Sequence, residues 1–146
     1  MAIAIGAAAP DVGGLSGPHA LVFYKVTCSV TALAGPALAK LGAAYDGAVL
    51  GVGQDPQPEL NVFAAEHGWT FAQIPDLAPY EASDAYGIAS APTVVVIDGT
   101  GRVADVVESW DREGMNRASA TLAGLLGAQP EILSIEADGL PAFKPG

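Results

Sequence analysis

Leu21-Val-Phe-Tyr-Lys-Val-Thr-Cys28-Ser-Val-Thr31 joins two kinds of pattern with almost nothing between them. Leu21–Val26 is mostly apolar and is bounded by Gly17-Pro18 before and Thr27 after, as a strand buried on both faces would be. From Ser29 to Tyr45 the apolar residues recur at helical spacing, with Leu33, Ala37, Leu38 and Leu41 on one face. Pro36 lies inside this stretch and should kink it, and Gly47 is a stop. Cys28 therefore falls where a buried strand hands over to a helix.

The same alternation continues outward. Ala48–Gly53 reads as a second buried strand, and Asp55-Pro56 as an N-cap with a proline in the first turn of a helix over Gln57–His67. Leu60, Phe63 and Ala64 should face inward there, with Gly68 as the stop. A short strand over Thr70–Ile74, a loop over Pro75–Pro79 and a short helix over Tyr80–Tyr86 ended by Gly87 follow. Thr93-Val-Val-Val-Ile97 is the strongest strand signal in the chain. Asp98-Gly-Thr-Gly101 turns it back into Arg102–Glu108, making a hairpin. Asp111 should cap a last helix with Met115, Ala118, Leu122, Leu125 and Leu126 as its apolar stripe and Gly127 as its end. Strand–helix alternation calls for parallel pairs and the hairpin for an antiparallel one. The expectation is an α/β chain with a central mixed β-sheet and helices on both faces.

The position of Cys28 has chemical consequences. A helix start carries unpaired N–H groups and about half a positive charge, which favours a thiolate over a thiol. Such sites lower a cysteine pKa from about 8.5 to roughly 3.5–7.5 and make the sulfur a nucleophile near neutral pH. Thr31, three residues on, would lie on the first helical turn, where its hydroxyl could donate to the thiolate. Both residues have ordinary readings too: a lone cysteine is often a small buried hydrophobe, and threonine is at home in a first turn. Lys25 could help hold a thiolate or be turned away by strand alternation. Tyr24, Trp69 and Trp110 read as packing residues, His19 and His67 as surface residues, and Glu66, Asp76 and Asp84 as a solvated acidic surface.

At these residues the chain resembles the thioredoxin superfamily. Phe23-Tyr-Lys-Val-Thr-Cys28-Ser-Val-Thr31 followed by Pro36 is similar to the family's strand, Cys-x-x-Cys motif and helix-kinking proline, with the proline eight residues after the first cysteine. Tyr86-Gly-Ile-Ala-Ser-Ala-Pro92-Thr-Val-Val-Val-Ile-Asp98-Gly is similar to its cis-proline, apolar strand and hairpin turn. The long separation from Cys28 to Pro92, and the opening Gly6-Ala-Ala-Ala-Pro10-Asp11, resemble the redoxin branch, which holds thiol–disulfide oxidoreductases and peroxiredoxins. The resemblance spans roughly residues 6–127. It implies a thioredoxin-like fold, Cys28 and Thr31 as catalytic positions, and Thr27, Ala91 and Pro92 as substrate-binding positions. The cis-proline would pack against the cysteine and offer backbone groups to a bound substrate.

This chain departs from the pattern in two ways. Thr31 stands where the second cysteine belongs, so dithiol chemistry within one chain is lost. The peroxiredoxin signature is also incomplete: Lys25 occupies its threonine position, and Ser90, Ala91 and Pro92 stand where its arginine would be. The implied activity is that of a monothiol oxidoreductase, possessing antioxidant capacity if it acts on peroxides. Cys28 would react with disulfides or peroxides, and an external thiol would resolve the product. The competing reading is a redox-inactive binding module that recognises a protein partner.

Composition narrows the rest. Hydrophobic residues make up 51% of the 146 and charged ones only 15%, which argues for a folded domain and against disorder. Sixteen acidic against six basic residues give a net charge of −10 and count against nucleic acid, since phosphate contacts need Lys and Arg. No apolar run approaches the roughly 20 residues of a membrane span, and Met1-Ala-Ile-Ala-Ile is a poor signal peptide, so a cytoplasmic location is the default, a leader removed beforehand aside. One cysteine and two distant histidines offer no metal-ligand spacing, and no cofactor is expected. The expected organisation is a domain over residues 1–128 and a proline-rich tail over 129–146 lying on its surface. The expected partner is an external thiol or a disulfide-containing protein.

Overall fold

A computed structural model describes the whole chain, Met1–Gly146. In chain order its elements are β1 (His19–Tyr24), α1 (Ser29–Ala44), β2 (Val49–Gly53), α2 (Gln57–Glu66), β3 (Ala72–Pro75), α3 (Glu81–Ala85), β4 (Thr93–Ile97), β5 (Val103–Glu108), β6 (Trp110–Asp111), α4 (Arg112–Leu126) and β7 (Phe143–Lys144), with a 3-10 turn at Glu136–Asp138. Five strands form one sheet in the order β3-β2-β1-β4-β5, and β6 pairs with β7 separately. β1–β2 and β2–β3 are parallel, while β1–β4 and β4–β5 are antiparallel, so the sheet is mixed.

Strand alternation divides the core. Ala20, Val22 and Tyr24 of β1 and Val94 and Val96 of β4 face α1, α2 and α4. Leu21, Phe23, Val95 and Ile97 face the other way, toward Tyr86 after α3 and toward Ile3, Ala9, Val12 and Leu15 of the lead-in. The lead-in is therefore a cover for the second face. It runs beside β5, with Gly6 N–H donating to Val103 O at 2.8 Å and Val103 N–H to Ala7 O at 2.9 Å.

Several local expectations shift for stated reasons. β1 begins two residues earlier than the apolar run, because His19 pairs with Ile97 and is only 8% exposed, its Nδ1 sharing a 2.8 Å hydrogen bond with Gly17 O. His19 is thus a core-edge residue, not a surface one. Asp76 is buried, not solvated: its carboxylate accepts from Ala82 N–H at 3.2 Å, Ser83 N–H at 2.8 Å and Ser83 Oγ at 2.6 Å, and so holds the start of α3. Asp55 does not cap α2, whose N-cap is Pro56; its carboxylate is engaged elsewhere, as described below. Asp111 does cap α4, accepting from Gly114 N–H at 3.1 Å, and Gly127 ends that helix at φ 68, a left-handed conformation glycine adopts freely. Leu125 and Leu126, however, are each 38% exposed, because the stripe turns away from the sheet in the last turn.

α1 approaches the α2–β3 connection closely. A Cβ on Gly35 would overlap the His67 ring, and the Gly35 carbonyl accepts from Trp69 Nε1 at 2.9 Å. Trp69 stands edge-on to Tyr24 with ring centroids 5.0 Å apart, and to Phe63 at 5.2 Å. This aromatic cluster underlies the region in which β1 meets α1. Segment 129–146 is laid onto the domain: Leu133 is 1% exposed within the main core, and Asn116 Oδ1 accepts its N–H at 2.7 Å. No helix is long and apolar enough to cross a membrane.

Candidate active site

After Tyr24 the chain leaves the sheet, turns over Lys25–Thr27 and enters α1. Cys28 is the N-cap, with φ −83 and ψ 119. Its N–H donates to Lys25 O at 3.1 Å, closing the turn, and its carbonyl accepts Ala32 N–H at 3.2 Å as the first helical bond. The N–H groups of Ser29, Val30 and Thr31 have no backbone acceptor, and the N-cap side chain does not take one of them. Cys28 thus stands beside unpaired donors at the positive end of a 16-residue helix.

The turn is pinned from β2. Val26 N–H donates to Asp55 Oδ2 at 2.9 Å, and Gln54 N–H to Tyr24 O at 3.1 Å. Asp55 is a residue whose role the sequence reading missed; the Asp-Pro pair announces a chain reversal but not which amide the carboxylate will reach. Burial and, secondarily, the negative charge of Asp55 push the Tyr24 phenol well above its ordinary range. Tyr24 donates its hydroxyl to Gln73 Oε1 at 2.7 Å, so it is a neutral packing residue.

Opposite the turn lies the loop before β4. The Ala91–Pro92 peptide is cis. Thr93 Oγ1 donates to Ser90 O at 2.8 Å, and Ser109 N–H to Pro92 O at 2.8 Å, fixing the loop on either side. The Cys28 Sγ–H meets Ala91 O at 3.4 Å. Residues separated by 63 positions are thereby brought into one site. Cys28 is half-buried and free, Ala91 half-buried, Pro92 buried and Thr27 exposed. Lys25 projects into solvent and forms no ion pair.

Thr31 is placed differently from expectation. It is fully buried, and its Oγ1 makes no hydrogen bond to Cys28 or to any other group. An unpaired buried hydroxyl costs about 1–3 kcal/mol. It lies on the helical turn that follows Cys28.

Beside the turn a groove of about 420 Å³ is lined by Val26, Pro58, Glu59, Val62, Phe63 and Glu66. No three His, Cys, Asp or Glu side chains converge where they could hold a metal ion. The arrangement offers a single accessible sulfur, unpaired amides and a carbonyl-lined loop, which suits nucleophilic attack at sulfur or oxygen.

Several solved structures with this architecture are described as thiol–disulfide proteins. A putative thiol:disulfide interchange protein DsbE from Chlorobium tepidum superposes with a TM-score of 0.71 at 20% identity, over 86% of this chain and 99% of that one. A putative protein disulfide isomerase from Bacteroides thetaiotaomicron matches with a TM-score of 0.68 at 19% identity, over 94% of each chain. A secreted Mycobacterium tuberculosis disulfide oxidoreductase homologous to E. coli DsbE matches with a TM-score of 0.61 at 19% identity, over 75% of this chain and 82% of that one. No protein-family model and no curated protein matches the sequence. At such identities the likeness is one of fold.

Proposed function

We propose that this chain, whose fold is thioredoxin-like, is a monothiol oxidoreductase acting through Cys28. The observation that carries the reading is the contact of Cys28 Sγ with Ala91 O at 3.4 Å, at the start of α1 and against the loop before β4. It leaves the sulfur half-buried between two loops, beside the amides of the helix start that have no backbone acceptor.

In disulfide exchange the Cys28 thiol gives its proton to solvent. The thiolate attacks one sulfur of a disulfide; a Cys28–substrate S–S bond forms while the substrate S–S bond breaks, releasing a thiolate. An external thiol then attacks the mixed disulfide as its own thiolate and returns Cys28 to the free form. With a peroxide, the thiolate takes the terminal oxygen as the O–O bond breaks, an alcohol or water leaves, and the sulfenic acid is returned to the thiol by two external thiols, which become a disulfide. An external resolving thiol is needed in either case, because Cys28 is the only cysteine. The backbone of Thr27, Ala91 and Pro92 would border an extended substrate.

The rival reading is a redox-inactive binding module. It is favoured by Thr31, which stands at the second sulfur position and is wholly enclosed. The pH dependence of Cys28 alkylation separates the two. The oxidoreductase predicts a rate already near its plateau at pH 7; a rate still climbing steeply above pH 8 supports the module. Treatment with a mild disulfide or with peroxide, followed by mass analysis, then identifies the chemistry as a mixed disulfide or a sulfenic acid. Reduction of insulin should be weak, since no second thiol releases the substrate, and brisk reduction would contradict the monothiol mechanism.

A further inference from the structure

Segment 129–146 runs over the site, with Gly146 beside Ala91. Its inner part is firmly held: Arg112 donates to Ser134 Oγ at 3.2 Å and to Leu140 O at 2.7 Å, and Trp110 Nε1 donates to Pro141 O at 2.7 Å. β7 then pairs with β6, with Lys144 opposite Trp110 and Phe143 opposite Asp111. Beyond β7, Gly146 N–H donates to Ser109 Oγ at 3.0 Å. There the chain meets Ala91: a Cβ on Gly146 would overlap the Ala91 carbonyl oxygen and lie 3.4 Å from the Ala91 nitrogen. This is the same carbonyl that Cys28 Sγ contacts.

We propose that residues 142–146 are a strap covering the Ala91 main chain, and that an extended disulfide substrate reaches Cys28 productively only when the strap lifts. The proposal rests on the reading of Cys28 as a reactive thiol. A substrate strand laid across the loop before Pro92 would pair with the Ala91 main chain, and Gly146 lies so close to it that a Cβ there would overlap the carbonyl oxygen. The strap is also built to lift. Every residue from Pro141 to Gly146 is exposed, and beyond Pro141 it is held by a two-residue ladder, by Arg112 N–H donating to Ala142 O at 3.0 Å and by one side-chain hydrogen bond. The anchors before it, from Leu133 to Leu140, would stay in place while it moves. A small reagent needs no backbone pairing and should not sense the strap.

The test compares the full chain, a chain ending at Lys144, and the full chain with Ser109→Gly. The substitution removes the Oγ acceptor at a position whose φ of 67 glycine adopts without strain. Cys28 is reacted with iodoacetamide and, separately, with a short extended peptide carrying a thionitrobenzoate mixed disulfide. Thermal melts confirm that all three chains are folded. Exchange with the peptide should accelerate about tenfold in both altered chains, the scale of losing one or two hydrogen bonds, while iodoacetamide rates stay level. Equal peptide rates in all three chains would overturn the strap and leave the thiol reading intact. Amide exchange at Gly146 reads the strap without thiol chemistry: protection in the full chain that Ser109→Gly abolishes supports docking, and no protection in either overturns it. If no chain exchanges with the peptide, the thiol reading falls, while a protected Gly146 still upholds the docking.

Discussion

Two residues one helical turn apart carry opposite lessons at the smallest scale. Cys28 has its donor satisfied by Ala91 O and one face open, whereas Thr31 is sealed in with a hydroxyl that bonds to nothing. Thr31→Val keeps the shape and removes the stranded donor. It should raise the stability of the resting protein by about 1 kcal/mol, read as a higher urea midpoint with an unchanged slope. If the hydroxyl turns to the sulfur once the thiol ionises, the same variant should slow alkylation of Cys28 at pH 7. Stability and reactivity moving in opposite directions would mark a group kept for chemistry; a gain in stability with no change in rate would leave Thr31 a packing residue. The sequence could place Thr31 on the first turn, but it could not say that the hydroxyl points inward, because that depends on how α1 rolls against the sheet.

Among the elements, the turn between β1 and α1 depends on a residue outside both. Asp55 follows β2 and holds Val26 N–H, so the active-site turn is braced across the parallel β1–β2 pair. Asp55→Ala should cost about 2 kcal/mol, the scale of a hydrogen bond to a charged group, and Asp55→Asn should restore much of it. The Asn variant has a second readout. The Asp55 carboxylate raises the Tyr24 phenol because a nearby negative charge disfavours the phenolate. Removing it should bring Tyr24 ionisation to lower pH, still above that of a free tyrosine because burial is the larger cause. Ultraviolet difference titration measures the change, and an unmoved Tyr24 would mean that Asp55 acts on the turn alone. The elements themselves were largely legible: β4 came out as Thr93–Ile97, and α1 ended one residue short of the expected Tyr45. β1 and β3 moved by one or two residues at their ends, where cross-strand pairing and not local pattern decides which residue is last, and α2 ended one residue early, with His67 as its C-cap.

Over the whole molecule the acidic surface sets the pH behaviour. Hydrogen bonds from the Thr100 hydroxyl and from the Arg102 and Thr100 amides hold the Asp98 carboxyl below its ordinary value of 3.8, and the Ile135 amide and Ser134 hydroxyl do the same for Asp138. A carboxyl lowered by folding binds fewer protons in the native state than in the unfolded one. Its contribution is therefore fully present above the unfolded value and is lost as pH falls through the lowered one. Both groups are exposed, so the effect should be local. Below about pH 4 the β4–β5 turn and the 134–138 turn should loosen before the sheet does. Amide exchange at Thr100, Arg102 and Ile135 checks this, and exchange there no faster than in β4 would contradict it. Loosening at Ile135 would also free the anchor from which the strap extends.

Local chemistry written in the chain was enough to determine the strand–helix alternation, the helix start at Cys28 and the hairpin around Asp98-Gly, because periodicity, caps and turns are decided by neighbours in sequence. The same holds for the cysteine count, which rules out an internal dithiol. Only the tertiary structure decided that Cys28 meets Ala91, that Asp55 braces the turn, that Thr31 is sealed in, and that residues 142–146 lie over the loop before Pro92. Each of these joins groups separated by tens of positions. Their meeting depends on the order of strands in the sheet and the roll of helices on it, which no short window of residues encodes.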